Sequence, residues 1–148
     1  MRALLQRVSE ARVEIDGAVV GSVGTGFLVL LGVARGDTEA DISRLVDKIR
    51  HLRVFPDLAG KMNLDIAQAG GGVLCVSQFT LLADCSKGRR PGFGAAEDPV
   101  RAQALWETFC EALAGAGLEV GRGRFGADMR VHLVNDGPVT LWLDSRDD

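Results

Sequence analysis

Near its start the chain alternates in character: Arg12, Glu14 and Asp16 are interleaved with Val13 and Ile15, and Asp16-Gly17 then leads into Ala18, Val19 and Val20. Period-two alternation flanking a two-residue Asp-Gly turn predicts a β-hairpin, so the chain opens with antiparallel strands. Residues 26–33 are continuously apolar and bounded by glycine, as expected of a strand covered on both faces.

After Gly36 the period changes. Ile42, Leu45, Val46, Ile49 and Leu52 fall at helical spacing, with Arg44, Asp47, Lys48 and Arg50 on the outer face and Asp37 or Thr38 as the cap. A second helix is predicted from Asp98-Pro99, a capping residue followed by proline at the first helical position. It buries Leu105, Trp106, Phe109 and Leu113 and stops near Gly115 or Gly117. Between the helices lie residues 52–55, a turn around 56–60, the break Gly70-Gly71-Gly72 and a strand over 73–79. The last third predicts two strands, 129–134 and 139–143, joined by a turn at Asn135-Asp136-Gly137-Pro138. No repeat, low-complexity tract or linker divides the chain. One domain, 1–148, is expected, an α/β chain of the α+β type with an antiparallel-rich mixed sheet and two main helices packed on one side.

Composition narrows the chemistry. With 148 residues, 47% of them hydrophobic, the chain has enough apolar surface for a core. No apolar run is long enough to span a membrane, and Gln6 and Arg7 break the apolar centre that a signal peptide needs, so a cytoplasmic protein is expected. Cys75, Cys85 and Cys110 are odd in number and irregularly spaced, which suits reduced thiols. His51 and His132 lack metal-ligand spacing, so neither a metal nor a cofactor is expected. A net charge of −3 argues against a broad basic surface. Two local basic groups remain, Lys87 with Arg89 and Arg90, and Arg122 with Arg124 and Arg130. They are either phosphate contacts or ordinary solvated positions.

The usual nucleophilic constellations are missing. There is no G-x-S-x-G elbow, neither histidine has a sequence neighbour to orient it, and Cys75 sits in an apolar strand where burial disfavours the thiolate. Two segments stand out instead. Ser77-Gln78-Phe79-Thr80-Leu81 is polar sequence at the end of a buried strand, where unpaired N–H groups can bind an oxyanion, although Ser and Thr are also common at strand ends. In Asn135-Asp136-Gly137-Pro138-Val139-Thr140, glycine permits unusual backbone angles and proline permits a cis bond, although a tight turn explains it equally.

The S-Q-F-T-L and N-D-G-P-V-T runs resemble the two motifs of D-aminoacyl-tRNA deacylases. The likeness extends through Gln6-Arg7-Val8, Gly60-Lys61-Met62-Asn63-Leu64, Lys87-Gly88-Arg89-Arg90-Pro91 and Gly123-Arg124-Phe125-Gly126-Ala127-Asp128-Met129. One departure is Gly92, where many members carry serine. The resemblance implies a barrel-like fold, a homodimer, and hydrolysis of the ester joining a D-amino acid, or glycine, to the 3′-terminal adenosine of aminoacylated tRNA. It implies catalysis at Gln78, Phe79 and Thr80 and substrate binding by Ser77, Gly137, Pro138, Arg7 and Met129. Gly137-Pro138 would be a cis dipeptide placed in the partner subunit's site and held by Arg7, where its carbonyls reject L-aminoacyl groups. The ribose 2′-hydroxyl would assist and backbone donors would stabilise the oxyanion. Thr80 as a covalent nucleophile is the sharper alternative, without an evident base. A nonenzymatic dimeric RNA-binding module and a thiol hydrolase centred on Cys75 are the competing readings.

Overall fold

The computed structural model describes residues 1–147. Its organising element is β1 (Arg2–Ile15), one strand of 14 residues, longer than the alternating stretch alone predicted. The Asp16-Gly17 turn, with positive φ at both residues, returns the chain into β2 (Ala18–Val23), antiparallel to β1. The first half of β1 pairs antiparallel with β3 (Gly26–Gly32). Along its other edge β1 pairs with β8 (Arg130–Asp144). β3 then pairs in parallel with β6 (Gly72–Ser77), and β6 in parallel with β7 (Val120–Arg122), which makes the sheet mixed. A short ribbon, β4 (Phe55–Pro56) with β5 (Met62–Leu64), lies apart.

Helix α1 (Glu39–His51) starts at Thr38, whose N–H is received by the Asp41 carboxylate at 2.8 Å, so Thr38 rather than Asp37 is the cap. Helix α2 (Pro99–Gly115) is capped by Asp98, which accepts from the Val100 and Arg101 N–H groups. Both helices cover one face of the sheet. Ile42, Leu45 and Ile49 from α1, and Leu105, Trp106, Phe109 and Leu113 from α2, pack on Ala3, Leu5, Phe27, Val29, Leu31, Val73 and Cys75.

A second core forms behind the sheet from Val8, Ala11, Val13, Val23, Leu28, Leu74 and Val76, with Met129, Val131 and Leu133 against it. The register of β1 with β8 shifts between Val8 and Glu10, and a one-residue shift exchanges the two faces of a strand. Val8 faces this core before the shift and Ala11 and Val13 face it afterwards, so the sheet curls toward a barrel.

Three expectations need correction. Residues 135–138 are not a turn between two strands: β8 runs unbroken from Arg130 to Asp144, and both of its halves pair with the same strand β1. The chain therefore does not reverse there. It bulges, because five steps along β8 from Thr140 to Asn135 match two along β1 from Gln6 to Val8. The predicted strand 73–79 ends at Ser77, since Phe79–Leu82 turns into a 3-10 helix. Leu52 lies just past α1 as its C-terminal cap rather than within it.

Candidate functional site

β6 delivers Ser77 to the edge of the core, and the Gln78 N–H donates to the Leu31 carbonyl at 2.8 Å, which prolongs the β3 pairing by one residue. The chain then winds into the 3-10 turn Phe79–Leu82, laid directly over Gly32. A Cβ on Gly32 would meet the Gln78 carbonyl oxygen at 2.9 Å and the Leu82 side chain at 2.4 Å, so only glycine lets the turn lie there. Opening N–H groups of a helical turn have no partner inside it. Those of Phe79 and Thr80 make no hydrogen bond among the described residues.

These donors sit beside a cleft of about 320 Å³, lined on one wall by Ser77, Gln78 and Phe79 and on the other by Trp106, Phe125 and Met129. The far wall is held by an aromatic contact between Trp106 and Phe125, with centroids 6.1 Å apart, and by the Arg124 N–H donating to the Met129 sulfur at 3.5 Å. Thr80 is exposed, and its hydroxyl accepts a hydrogen bond from the Gln78 side-chain amide. Neither histidine lines this cleft. His132 Nε2 is 3.2 Å from Glu14 on β1, and His51 pairs with Asp47 on the surface of α1. Each histidine is thus oriented by a carboxylate that sequence adjacency did not reveal, and neither is placed to activate Thr80.

The other segment forms a second, separate constellation. Asp136, Gly137 and Pro138 are exposed at the crest of the bulge, and the Gly137–Pro138 peptide is cis. Arg7, only 8% exposed, reaches under it: Nε donates to the Asp136 carbonyl at 3.0 Å and an Nη to the Val54 carbonyl at 2.5 Å. Gly137 has φ of +128°, and a Cβ there would stand 2.9 Å from the Arg7 guanidinium. Asn135 braces the bulge from within, its carbonyl accepting from the Val139 N–H and its amide donating to Thr140.

The structure therefore gathers Ser77, Gln78, Phe79 and Met129 at one cleft, with Thr80 next to them, and gathers Arg7 with Gly137 and Pro138 at the bulge. It does not unite the two sets, since no residue of 135–140 lines the cleft. Gly32, Val54 and Glu97 shape these places and were not singled out in the sequence, where Trp106 was read only as helix core. Gly32, at the end of an apolar strand, is the one that left a legible signal.

The thiol reading is not supported by the geometry. Cys75 and Cys110 are fully buried next to one another, and burial, then the hydrogen bond with Cys110, pushes the Cys75 thiol well above its ordinary range. Only Cys85 is exposed. Among the described residues no helix is long and apolar enough to cross a membrane.

The chain is similar to known proteins over nearly its whole length. The family model described as D-Tyr-tRNA(Tyr) deacylase matches residues 4–144. A protein named D-aminoacyl-tRNA deacylase from Anaeromyxobacter dehalogenans (strain 2CP-C) is 60% identical over 146 residues, covering 99% of this chain and 98% of its own length. One of the same name from Geobacter sulfurreducens is 53% identical over 146 residues, covering 99% and 96%. Among solved structures, one described as c-Myc DNA Unwinding Element Binding Protein superposes with a TM-score of 0.93 at 39% identity, covering 99% of this chain and 100% of its own. Another, described as a probable eukaryotic D-amino acid tRNA deacylase, has a TM-score of 0.82 at 18% identity, covering 96% and 97%, and shares the fold.

Proposed function

The chain belongs to the D-Tyr-tRNA(Tyr) deacylase family, and we propose that it hydrolyses the ester of D-aminoacyl-tRNA in the cytoplasm as a single domain, 1–148, acting in a homodimer. It is a hydrolase, releasing the amino acid and leaving the tRNA free for recharging. The observation that carries the mechanism is the pair of N–H groups at Phe79 and Thr80, unpartnered among the described residues, beside a cleft where neither Ser77 nor Thr80 is hydrogen-bonded to a histidine or carboxylate among those residues.

Two backbone donors aimed at a developing oxyanion need no charged partner, and such a donor typically contributes about 3–4 kcal/mol to transition-state binding. The aminoacyl ester is already activated, and the adjoining ribose 2′-hydroxyl is held close to it, so proximity supplies what a triad would otherwise provide. In this reading Gln78 orients the Thr80 hydroxyl while Ser77 and Met129 bound the aminoacyl group. Glycine, which has no side chain to reject, is hydrolysed as well when it is misattached.

Selection against L-aminoacyl groups falls to Gly137-Pro138. Because the bulge and the cleft lie apart in one chain, the bulge serves the partner's cleft, and the complete site belongs to the pair. Supporting this, the outer edge of β8 has no strand partner among the described residues, and Trp142 on it is 48% exposed. A free edge of this length with exposed apolar side chains invites pairing. Backbone carbonyls at the α-carbon reject by clash and tolerate any D side chain.

The deciding experiment is hydrolysis of matched D- and L-aminoacyl-tRNA by the purified protein. Release of the D-amino acid with the L-ester intact is expected; equal rates would remove the chiral assignment. A second reading, nucleic-acid binding without hydrolysis, draws on the described name of the relative at 39% identity. It leaves the cleft idle, and RNA binding with no release of amino acid would favour it.

A further inference from the structure

Just beyond the 3-10 turn the chain makes a finger. The Asp84 N–H donates to the Gly92 carbonyl at 2.7 Å and the Gly92 N–H to the Asp84 carbonyl at 2.8 Å, closing the base of loop 85–91. Asp84 also receives the Ser86 N–H at 2.9 Å, which fixes the rising limb. The loop carries Lys87, Arg89 and Arg90, all exposed, and none of the three forms an ion pair among the described residues. In a chain of net charge −3, three neighbouring cations without carboxylate partners form a local positive site.

At the base of the finger, and on the rim of the cleft, stand two exposed aromatic rings. Phe79 is 57% and Phe93 36% exposed, and their rings meet edge-on at 4.9 Å. Phe93 is held by its own segment, the Ala96 N–H donating to its carbonyl at 3.0 Å. Exposed aromatic faces next to a row of unpaired cations are what a single nucleic-acid strand uses, with bases stacking on rings and phosphates meeting charges.

We propose that the Phe79–Phe93 pair and the Lys87, Arg89 and Arg90 finger form a track for the unpaired 3′ end of tRNA, with the aromatic pair under a base and the finger along the phosphates that follow. The inference rests on the aminoacyl-tRNA reading of the cleft and extends it from the terminal adenosine to the strand behind it. The placement is directional. Finger residues lie a few residues from the base, a reach of about 10 Å, so they meet the last few nucleotides and not the body of the tRNA. Gly92, where serine is common in the family, is at the closed base with only backbone in contact, so the departure leaves the track intact.

The test is equilibrium binding of uncharged tRNA across a range of KCl concentrations, compared with the same tRNA lacking its unpaired 3′ nucleotides. Replacing Lys87, Arg89 and Arg90 together by alanine is expected to weaken binding of intact tRNA roughly ten- to hundredfold and to make the log–log salt slope shallower by about 2, since each single-strand phosphate contact contributes about 0.7. The exchange Lys87→Arg with Arg89→Lys and Arg90→Lys should restore both. Phe93→Ala should cost roughly tenfold with the slope unchanged. With the shortened tRNA these differences should vanish. An unchanged slope in the triple variant, or an equal penalty on intact and shortened tRNA, overturns the track. Binding is read without turnover, so a protein that shows these differences but releases no amino acid would sink the deacylase reading and leave the track standing.

Discussion

The Arg7 Nε lies 3.0 Å from the carbonyl oxygen of Asp136, and the same guanidinium donates to Val54 at 2.5 Å. One buried fork thus ties the crest of a bulge on β8 to the segment entering the β4–β5 ribbon. The Asp136 carboxylate adds little, at 3.8 Å and 57% exposed. The backbone of the bulge, not a salt bridge, is what Arg7 secures.

Arg7→Ala should therefore loosen the bulge without touching the cleft. Each lost charge-assisted hydrogen bond costs about 1.5–3 kcal/mol, so the melting temperature should fall. The ratio of L- to D-aminoacyl-tRNA hydrolysis should also rise, and Pro138→Ala should raise it in the same direction. Arg7→Lys should not rescue the ratio, because an ammonium cannot present the fork to two carbonyls. Unchanged ratios in folded variants would count against the bulge as the chiral filter.

Gly32→Ala is expected to displace the 3-10 turn, because the new Cβ meets the Gln78 carbonyl oxygen 2.9 Å away and that oxygen is backbone. The two donors at Phe79 and Thr80 would move with it. A shift of about 1 Å in such a site costs roughly a hundredfold in rate. Single-turnover kinetics at saturating enzyme should show the loss in the rate of ester cleavage.

Thr80→Ala should retain substantial deacylation. The Thr80 hydroxyl accepts from the Gln78 amide and, among the described residues, is hydrogen-bonded to no histidine or carboxylate that could deprotonate it. The backbone N–H survives the substitution. Isolation of an acyl-enzyme on Thr80 would reverse this assignment.

Alkylation at neutral pH should modify Cys85 alone. It is exposed, whereas Cys75 is buried with its thiol held protonated, and Cys110 is buried beside it. Peptide mapping after iodoacetamide should show one labelled site in the native protein, with deacylation retained.

Acid should destabilise the fold through Asp144. Burial alone would raise its carboxyl, but the Arg146 N–H, the Arg2 guanidinium and the nearby α-ammonium together hold it below the usual carboxylate range. A carboxyl lowered on folding contributes stability that is complete above its unfolded value and is lost as pH falls through the folded one. Melting temperature should therefore drop below about pH 4. Asp144→Asn should lower it at pH 7 and reduce that acid-dependent loss.

Much of this was written in local pattern. The Asp16-Gly17 turn, the 3.6-residue spacing from Ile42 to Ile49 and the Asp98-Pro99 start each depend on neighbours within a few residues, so each was legible without the fold. Burial of Cys75 followed from its apolar surroundings in the same way. The two motifs and the family they point to were also legible, because side-chain identity is what a motif records.

Tertiary structure decided the rest, because it depends on which distant strand a segment meets. Residues 135–138 have the composition of a turn, yet β1 is long enough to pair with the chain on both sides of them, and a segment held at both ends by one partner can only bulge. Arg7 acts at Val54 and Asp136, far from it in sequence, and Gly32 matters only because the chain from Ser77 onward closes over it. The residues named their chemistry; pairing across the sheet set where each stands, with the cleft and the bulge kept apart in one chain.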